Sequence, residues 1–210
     1  MPQGEIILDL GGANCQPHKM GYPHKFKKLY LIDLPPEDRC DMYKEIIINP
    51  DCDDGEVVIK YEDMTELSAF ANESVNLVRS GQVRSGQSIE HVPLDAGRKM
   101  CHAAYRVLKA GGAFCLGTPN RLMTKIHTHD IGGGGFIHPE HCIEYEPAQL
   151  RVLLEEAGFV VEKVLGVCEM PTSSQSGKLD YTDFIYGEQI TENVEKSYIQ
   201  YFHCVKPFNP

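Results

Sequence analysis

A short apolar stretch that runs into a glycine turn near the start of the chain is the feature that most constrains its fold. Residues 5–13 are Glu-Ile-Ile-Leu-Asp-Leu-Gly-Gly-Ala, and the apolar run favours a strand covered on both faces, as in a parallel sheet. Gly11, Gly12 and Ala13 carry little or no side chain, so a ligand can approach their backbone closely. A strand followed by such a turn is typical of nucleotide-type sites in doubly wound α/β proteins, although an ordinary turn after a buried strand has the same pattern.

A second apolar stretch, residues 28–34, contains an acidic residue that fits a ribose-binding role. Asp33 lies 24 residues after Asp9, close to the spacing of about 20 residues at which dinucleotide-binding folds place a ribose carboxylate. A carboxylate suits that role because it can accept hydrogen bonds from two hydroxyls at once. The alternative is an aspartate that caps a turn or a helix.

Strand-like and helix-like segments alternate along most of the chain, which predicts an α/β fold. Further strands are predicted at residues 57–61, 75–79, 113–120, 159–167 and 201–207. The spacing of apolar residues predicts one helix over 94–109, capped by the glycines that follow it, and another from Pro147 to a stop at Gly158. We therefore predict a single domain over residues 1–210, with a Rossmann-like, doubly wound, mostly parallel sheet and an antiparallel C-terminal edge strand.

Two polar stretches are predicted to be loops. Residues 124–135 combine polar side chains with four consecutive glycines, which indicates a mobile lid that closes over the acceptor, the substrate that receives a transferred group. Residues 173–177 are predicted to be a flexible polar loop.

A perfect tandem copy follows the start of the predicted strand at Val75. The sequence Val-Arg-Ser-Gly-Gln occupies residues 78–82 and again 83–87, which is too short for a structural repeat unit and indicates a local duplication. The first five residues of the strand already supply a typical strand length, so we expect residues 80–82 to protrude at its carboxyl end. The second copy is expected to lead into the following helix.

Charge and composition argue against several classes of partner. The chain has 20 basic and 30 acidic residues, a net charge of −10, which disfavours non-specific binding to nucleic acid or to an anionic membrane. No apolar run is long enough for a membrane span, and no secretory signal opens the sequence. The eight cysteines are scattered without a Cys-x-x-Cys pair, which favours reduced thiols and a cytoplasmic protein. We expect no nucleic-acid and no membrane partner, and the sequence leaves the oligomeric state open.

Five segments resemble, in the same order, the motifs of the class I S-adenosylmethionine-dependent methyltransferases. They are the glycine motif at 7–13, the acidic second strand at 31–33, the segment Glu62-Asp63-Met64, the helix, glycine turn and strand at 106–114, and the helix and turn at 144–159. More narrowly, residues 85–92 resemble a bacterial subgroup of unsettled substrate. The resemblance spans nearly the whole chain, and the order and spacing of the motifs make it specific.

The resemblance implies S-adenosyl-L-methionine as the cofactor and assigns residues to its binding site. The implied cofactor-binding residues are Asp9, Gly11, Gly12, Ala13, Asp33, Leu34, Asp63, Met64, Ser85 and Gln87. In this scheme Asp33 binds the ribose and Asp63 the adenine amino group. By comparison with the family, the chain is expected to lack the helices that usually cover the sheet ahead of the first strand.

Transfer of a methyl group from a sulfonium is an in-line displacement, and a hydroxyl acceptor needs a general base because its pKa is high. By its family position after the fourth strand His91 is the first candidate, and His138 is the second, together with His141. Each has an ordinary alternative, since a histidine at a helix start packs beside a cofactor and a loop histidine needs no function.

Metal-capable side chains also cluster in the sequence, at His127, His129, Asp130, His138, His141 and Cys142. Their spacing matches no standard zinc site, so we expect no metal.

The expected activity is that of a transferase that methylates an oxygen of an unidentified small-molecule or sugar acceptor. Two alternatives stay open. One is a cofactor-binding protein with lost or weak catalysis, and the other is a nicotinamide-dependent oxidoreductase built on the same sheet. The missing Gly-x-Gly-x-x-Gly spacing counts against the oxidoreductase.

Overall fold

The computed structural model describes residues 1–12, 21–38, 52–81, 89–130 and 135–208, which contain one eight-stranded sheet and five α-helices. The strands are β1 (Ile6–Leu10), β2 (Lys28–Asp33), β3 (Glu56–Tyr61), β4 (Val75–Gly81), β5 (Leu108–Pro119), β6 (Val160–Glu169), β7 (Ile190–Thr191) and β8 (Ser197–Val205). Their order across the sheet is β3-β2-β1-β4-β5-β8-β6-β7. The first five strands are parallel, whereas β8 runs antiparallel to both of its neighbours.

The helices are α1 (Leu94–Val107), α2 (Arg121–Asp130), α3 (Pro147–Glu156), α4 (Pro171–Ser176) and α5 (Asp183–Tyr186). Short 3-10 helices lie at Pro36–Asp38, Ile89–His91 and Val194–Lys196. Among the described residues, no helix has the length and apolar character that crossing a bilayer requires.

The core consists of two apolar clusters, because successive residues of a strand point to opposite faces of the sheet. Leu8 and Leu10 of β1 belong to the larger cluster, which includes Met100 of α1 and Leu150 of α3. Ile7 belongs to the other cluster, with residues of β2, β4 and β5. β1 is therefore covered on both faces, as its unbroken apolar run predicts.

The predicted fold class is confirmed. The sheet is mostly parallel and its antiparallel strands lie in the C-terminal part of the chain. The last two long strands, β6 and β8, pair with each other as expected. β8 lies inside the sheet between β5 and β6, and the short β7 forms the edge.

Most of the predicted mobile lid is a helix instead. Arg121–Asp130 forms α2, in which Thr124 is fully buried. The side chain of Asn120 accepts a hydrogen bond from the Leu122 N–H at 3.0 Å, which caps the first turn of this helix. Residues 131–134 of the predicted lid lie outside the described residues.

Two further predictions of local structure are wrong. The predicted loop at 173–177 lies mostly in α4, whose first amides donate hydrogen bonds to the Asp183 carboxylate. Helix α1 ends at Val107, where the backbone becomes extended at Leu108. The glycines predicted to cap α1 lie within β5 instead.

The first copy of Val-Arg-Ser-Gly-Gln enters the sheet, so the prediction that it protrudes is wrong for the residues that the structure describes. Ser80 pairs with Leu10 of β1 and Leu116 of β5, and Gly81 pairs with Gly117. Ser80 is only 1% exposed, so its backbone hydrogen-bonding groups need partners within the protein. Pairing with a strand on each side supplies them. Gln82 and the second copy lie outside the described residues.

Candidate active site

A cavity of about 290 Å³ lies at the carboxyl edge of the parallel strands β1, β2 and β3. Its lining residues are Gly11, Ile32, Asp33, Leu34, Glu62, Asp63, Met64, Thr65, Val92 and Ala96. They come from the turn after β1, the end of β2, the turn after β3 and the start of α1. Open α/β sheets bind their ligands at this edge.

The cavity brings together part of the predicted cofactor site. Five of the ten implied residues line it, namely Gly11, Asp33, Leu34, Asp63 and Met64. Asp9 and Gly12 are not among its lining residues. Ala13, Ser85 and Gln87 lie outside the described residues.

The glycine turn after β1 is hydrogen-bonded to the end of β2 beside the cavity. The N–H groups of Gly11 and Gly12 donate hydrogen bonds to the Ile32 carbonyl oxygen at 2.8 and 3.2 Å. Gly11 has a φ of 70°, in the left-handed region that favours glycine. A Cβ atom on Gly12 would lie 2.6 Å from atoms of Asp9, so a larger residue does not fit there.

Two acidic residues of the lining are fixed by local backbone hydrogen bonds. Asp33 Oδ1 accepts a hydrogen bond from the Leu34 N–H at 2.8 Å. Asp63 Oδ1 accepts one from the Thr65 N–H, also at 2.8 Å. Both carboxylates therefore keep defined positions beside the cavity, which suits the binding of ligand hydroxyl and amino groups.

Asp9 has a protein partner instead of a place in the lining. Its side chain is fully buried, and Arg79 Nη1 lies 2.6 Å from Asp9 Oδ1. Burial raises the pKa of Asp9, and the charge and hydrogen bond of Arg79 oppose that rise. Arg79 also donates a hydrogen bond to the Gly81 carbonyl oxygen at 3.0 Å. The pair joins the end of β1 to the end of β4.

Three histidines form a cluster beside the cavity. His91 ends the 3-10 helix that follows β4, while His138 and His141 lie between α2 and α3. The ring centroids of His91 are 4.8 Å from His141 and 5.9 Å from His138, and the latter two are 5.4 Å apart. His91 directly precedes Val92, a lining residue of the cavity. The structure thus brings the two predicted catalytic histidines, His91 and His138, into contact.

A buried carboxylate, Glu144, organises one side of this cluster. Glu144 Oε1 lies 2.8 Å from His141 Nδ1 and accepts a hydrogen bond from the Ile137 N–H at 2.9 Å. Its other oxygen accepts hydrogen bonds from Thr124 and Arg121. Burial alone would raise the pKa of Glu144, but hydrogen bonds from His141, Thr124 and Ile137 outweigh burial and lower that pKa.

The sequence did not single out Arg79 or Glu144 as members of a site. Arg79 lies within the tandem repeat, and its place on β4 sets it directly opposite Asp9. The spacing of His141 and Glu144, three residues apart, is a local signal that could have indicated a histidine with a carboxylate partner.

The metal-capable set inferred from the sequence does not assemble as a whole. His127 Nδ1 lies 2.6 Å from the Tyr198 hydroxyl, and the His129 side chain is 87% exposed. Among the described residues, His138 and His141 of that set form a group with His91 that could hold one ion, and the other four members are not part of it.

Comparison with known proteins agrees with the fold. No family model matches the chain. Over 111 residues, 53% of its length, the chain is 37% identical to a probable S-adenosylmethionine-dependent methyltransferase of Mycolicibacterium smegmatis. The chain spans 38% of the length of that relative.

Solved structures share the fold at low sequence identity. One is a methyltransferase of Thermotoga maritima, described as S-adenosylmethionine-dependent and as a possible histamine N-methyltransferase. It is 17% identical, with a TM-score of 0.61 over 98% of this chain and 83% of that chain. Another is a small RNA methyltransferase, 14% identical, with a TM-score of 0.66 over 99% of this chain and 24% of that chain. The resemblance is thereby confirmed, and the chain has the fold of the class I methyltransferases, the family whose cofactor is S-adenosylmethionine.

Proposed function

We propose that the chain is a single-domain S-adenosylmethionine-dependent methyltransferase that methylates a hydroxyl oxygen of a small-molecule or sugar acceptor. The observation that carries the proposal is the cavity at the carboxyl ends of β1, β2 and β3. It is lined by Gly11, Asp33 and Asp63, at the positions where the family resemblance expects the cofactor. The curated relative, named as a probable methyltransferase of this kind, supports the same activity.

We assign three residues of the lining a part in cofactor binding. Asp33 at the end of β2 accepts hydrogen bonds from the ribose hydroxyls, and Asp63 accepts one from the adenine amino group. Gly11 leaves room for the ligand beside the turn.

The acceptor is proposed to bind on the side of His91 and His138, where the cluster adjoins Val92. The net charge of −10 supports a small-molecule acceptor over a nucleic acid. One structural neighbour is a small RNA methyltransferase, so an RNA acceptor is the outcome that an acceptor screen must test directly.

The sheet disfavours the nicotinamide-dependent alternative. Dinucleotide-binding folds place a sixth parallel strand after the fifth. Here β5 is followed across the sheet by the antiparallel strand β8. The remaining alternative, a cofactor-binding protein without turnover, differs from the proposal only in catalysis.

Calorimetric titration of the full chain with S-adenosylmethionine, S-adenosylhomocysteine and NAD⁺ tests the cofactor. We expect the first two to bind and NAD⁺ not to bind. Asp33→Ala removes hydrogen bonds to a charged group worth about 1.5–3 kcal/mol, so the affinity should fall about 10- to 150-fold. Asp53→Ala, which removes an exposed carboxylate outside the lining, is the matched control.

Unchanged affinity in Asp33→Ala would remove this residue from the site, and preferential binding of NAD⁺ would overturn the cofactor assignment. Transfer of a labelled methyl group to a panel of hydroxyl compounds, sugars and small RNAs then tests turnover. Tight cofactor binding without transfer to any acceptor would favour the non-catalytic alternative.

A further inference from the structure

The cluster of His91, His138 and His141 has the composition and size of a metal site. One ring nitrogen of each histidine lies within 4.8 Å of those of the other two. Ligand atoms at zinc–nitrogen distances of about 2.0–2.1 Å in a tetrahedral site are about 3.3–3.4 Å apart, so small side-chain rotations around an ion would complete the geometry. Within the described part of the chain, half-buried His138 accepts a long hydrogen bond of 3.3 Å from the Glu140 N–H, which holds its ring less firmly than the 2.8 Å contact with Glu144 holds His141.

Two ring nitrogens of the three histidines are buried without a hydrogen-bond partner among the described residues. They are Nε2 of His91 and Nε2 of His141, whose side chains are 7% and 1% exposed. Buried polar atoms in folded proteins almost always have a partner, and an unpaired one calls for an explanation such as a bound ion. The two atoms belong to adjacent rings, with centroids 4.8 Å apart.

Glu144 prepares His141 to bind a metal through Nε2. Because the Glu144 carboxylate can only accept a hydrogen bond, His141 Nδ1 must carry the proton in their 2.8 Å contact. When the ring carries this single proton, its lone pair is on Nε2. Histidines that bind metals commonly donate the other ring N–H to a carboxylate, which fixes the ring and raises its basicity.

We propose that His91, His138 and His141 bind one divalent transition-metal ion beside the cofactor cavity. Three imidazole ligands match zinc and related first-row metals, whereas Mg²⁺ and Ca²⁺ prefer oxygen ligands. Negative charge for a dication is at hand in Glu144 and in the fully buried Glu90, whose Oε1 lies 3.9 Å from His91 Nε2. This set differs from the one that the sequence suggested, because it includes His91. In the chain, His91 precedes α1 and β5, whereas His138 and His141 follow them.

A site with three histidine ligands leaves a coordination position open for water or substrate. This role of the ion rests on the proposed methyltransferase function, whereas its binding does not. An acceptor hydroxyl on the ion would lose its proton to water near neutral pH, because zinc lowers the pKa of a bound water from roughly 15.7 to about 7. The alkoxide oxygen then forms a bond to the methyl carbon as the carbon–sulfur bond breaks, which gives a methyl ether and S-adenosylhomocysteine.

The test uses the full chain, freed of metal by a chelator and titrated with Zn²⁺ in the absence of cofactor. We expect one equivalent to bind by calorimetry, a rise in the melting temperature, and visible d–d absorption when Co²⁺ replaces zinc. His91→Gln and His138→Ala should each weaken binding at least tenfold. Glu144→Gln should weaken it about 10- to 100-fold. His129→Ala, whose side chain is 87% exposed, is the matched control and should bind as the wild type does.

Circular dichroism checks that each variant is folded. The rise in the melting temperature of the wild-type protein on addition of zinc tests the proposal without any variant. A wild type that binds no Zn²⁺ and shows no melting shift overturns the proposal. Wild-type affinity in folded His91→Gln and His138→Ala overturns it as well. Titration of the same preparation with S-adenosylmethionine separates the two hypotheses. Cofactor binding without zinc binding refutes only the metal site, and zinc binding without cofactor binding refutes only the proposed function.

Discussion

The ion pair between Arg79 and Asp9 allows a carboxylate to be buried next to the glycine turn. Asp9 is 0% exposed, and its partner's side chain is 13% exposed. Burying a charge is costly unless it is paired, so removing the partner should destabilise this strand end. The same pair crosses from β1 to β4 in direct register.

Replacing Arg79 should therefore destabilise the fold strongly. Arg79→Met leaves a buried carboxylate without its cation, and we expect a loss of about 3–5 kcal/mol in the free energy of unfolding. Without Arg79 the pKa of Asp9 rises further above its ordinary value of 3.8. A raised folded-state pKa means that stability falls as the pH increases through it. Urea unfolding at pH 5 and pH 8 should show the larger loss at pH 8.

Two variants make this prediction specific. Arg151→Met removes the cation of an exposed ion pair with Glu155 and is the matched control, which should lose less stability. The double variant Asp9→Asn with Arg79→Met removes both charges and should recover part of the loss. Equal losses in Arg79→Met and Arg151→Met, or a loss independent of pH, would contradict the assigned role of the pair.

At the scale of elements, α4 depends on a carboxylate that comes from α5. Asp183 is 3% exposed, and it accepts hydrogen bonds from the N–H groups of Thr172 and Ser173 at 3.2 and 2.7 Å. These are amides of the first turn of α4, which lack partners within the helix. The tertiary contact explains why a six-residue polar segment is helical.

Asp183→Asn should lower the free energy of unfolding by about 1.5–3 kcal/mol at pH 7, the worth of hydrogen bonds to a charged group. Burial would raise the pKa of Asp183, but hydrogen bonds from Ser173 and Thr172 outweigh burial and lower it below 3.8. The stabilisation is therefore complete above the unfolded-state pKa and is lost as the pH falls through the folded-state value. Urea unfolding should show the difference between variant and wild type shrinking in acid.

Glu188→Gln, at an exposed position beyond α5, provides the comparison and should leave stability unchanged at either pH. A variant Asp183→Asn that is as stable as the wild type at pH 7 would show that α4 forms without this contact.

The elements that sequence predicted well are those with a strong local signal. Helix α3 has Pro147 at its first turn and the buried row Leu150, Leu153 and Leu154, and both were visible in the sequence. Helices α2 and α4 lack such a row. The helical state of α2 depends instead on the Asn120 side chain, and that of α4 depends on Asp183. The cap at Asn120 is a local signal that could have been used, whereas the Asp183 contact is tertiary.

At the scale of the whole molecule, the parallel sheet explains why part of the site was predictable. Turn residues after β1, β2 and β3 must meet at one edge, so Gly11, Asp33 and Asp63 could be placed together from sequence. The histidine cluster joins segments on either side of α1, β5 and α2. Neither periodicity nor spacing specifies that contact, because it depends on how these elements pack.

The tandem copy is a further constraint on the whole sheet, because the first copy supplies the end of its central strand. Val78 to Ser80 pair with β1 on one side and β5 on the other, and Gly81 pairs with β5. Deleting residues 78–82 or residues 83–87 produces the same sequence, so either deletion leaves one Val-Arg-Ser-Gly-Gln in place to complete β4. The stretch between Gly81 and Ile89 is then shortened from seven residues to two.

Removing one copy should therefore keep the fold and leave its stability equal or higher. A shorter closed stretch loses less conformational entropy, a gain of up to about 1 kcal/mol. The shortened stretch follows the carboxyl end of β4, next to the edge that carries the cavity, so affinity for S-adenosylmethionine should be equal or higher as well. Urea unfolding and calorimetry on the deletion variant measure both quantities. A variant that unfolds more easily and binds no better would show that the duplicated residues are an integrated part of the structure.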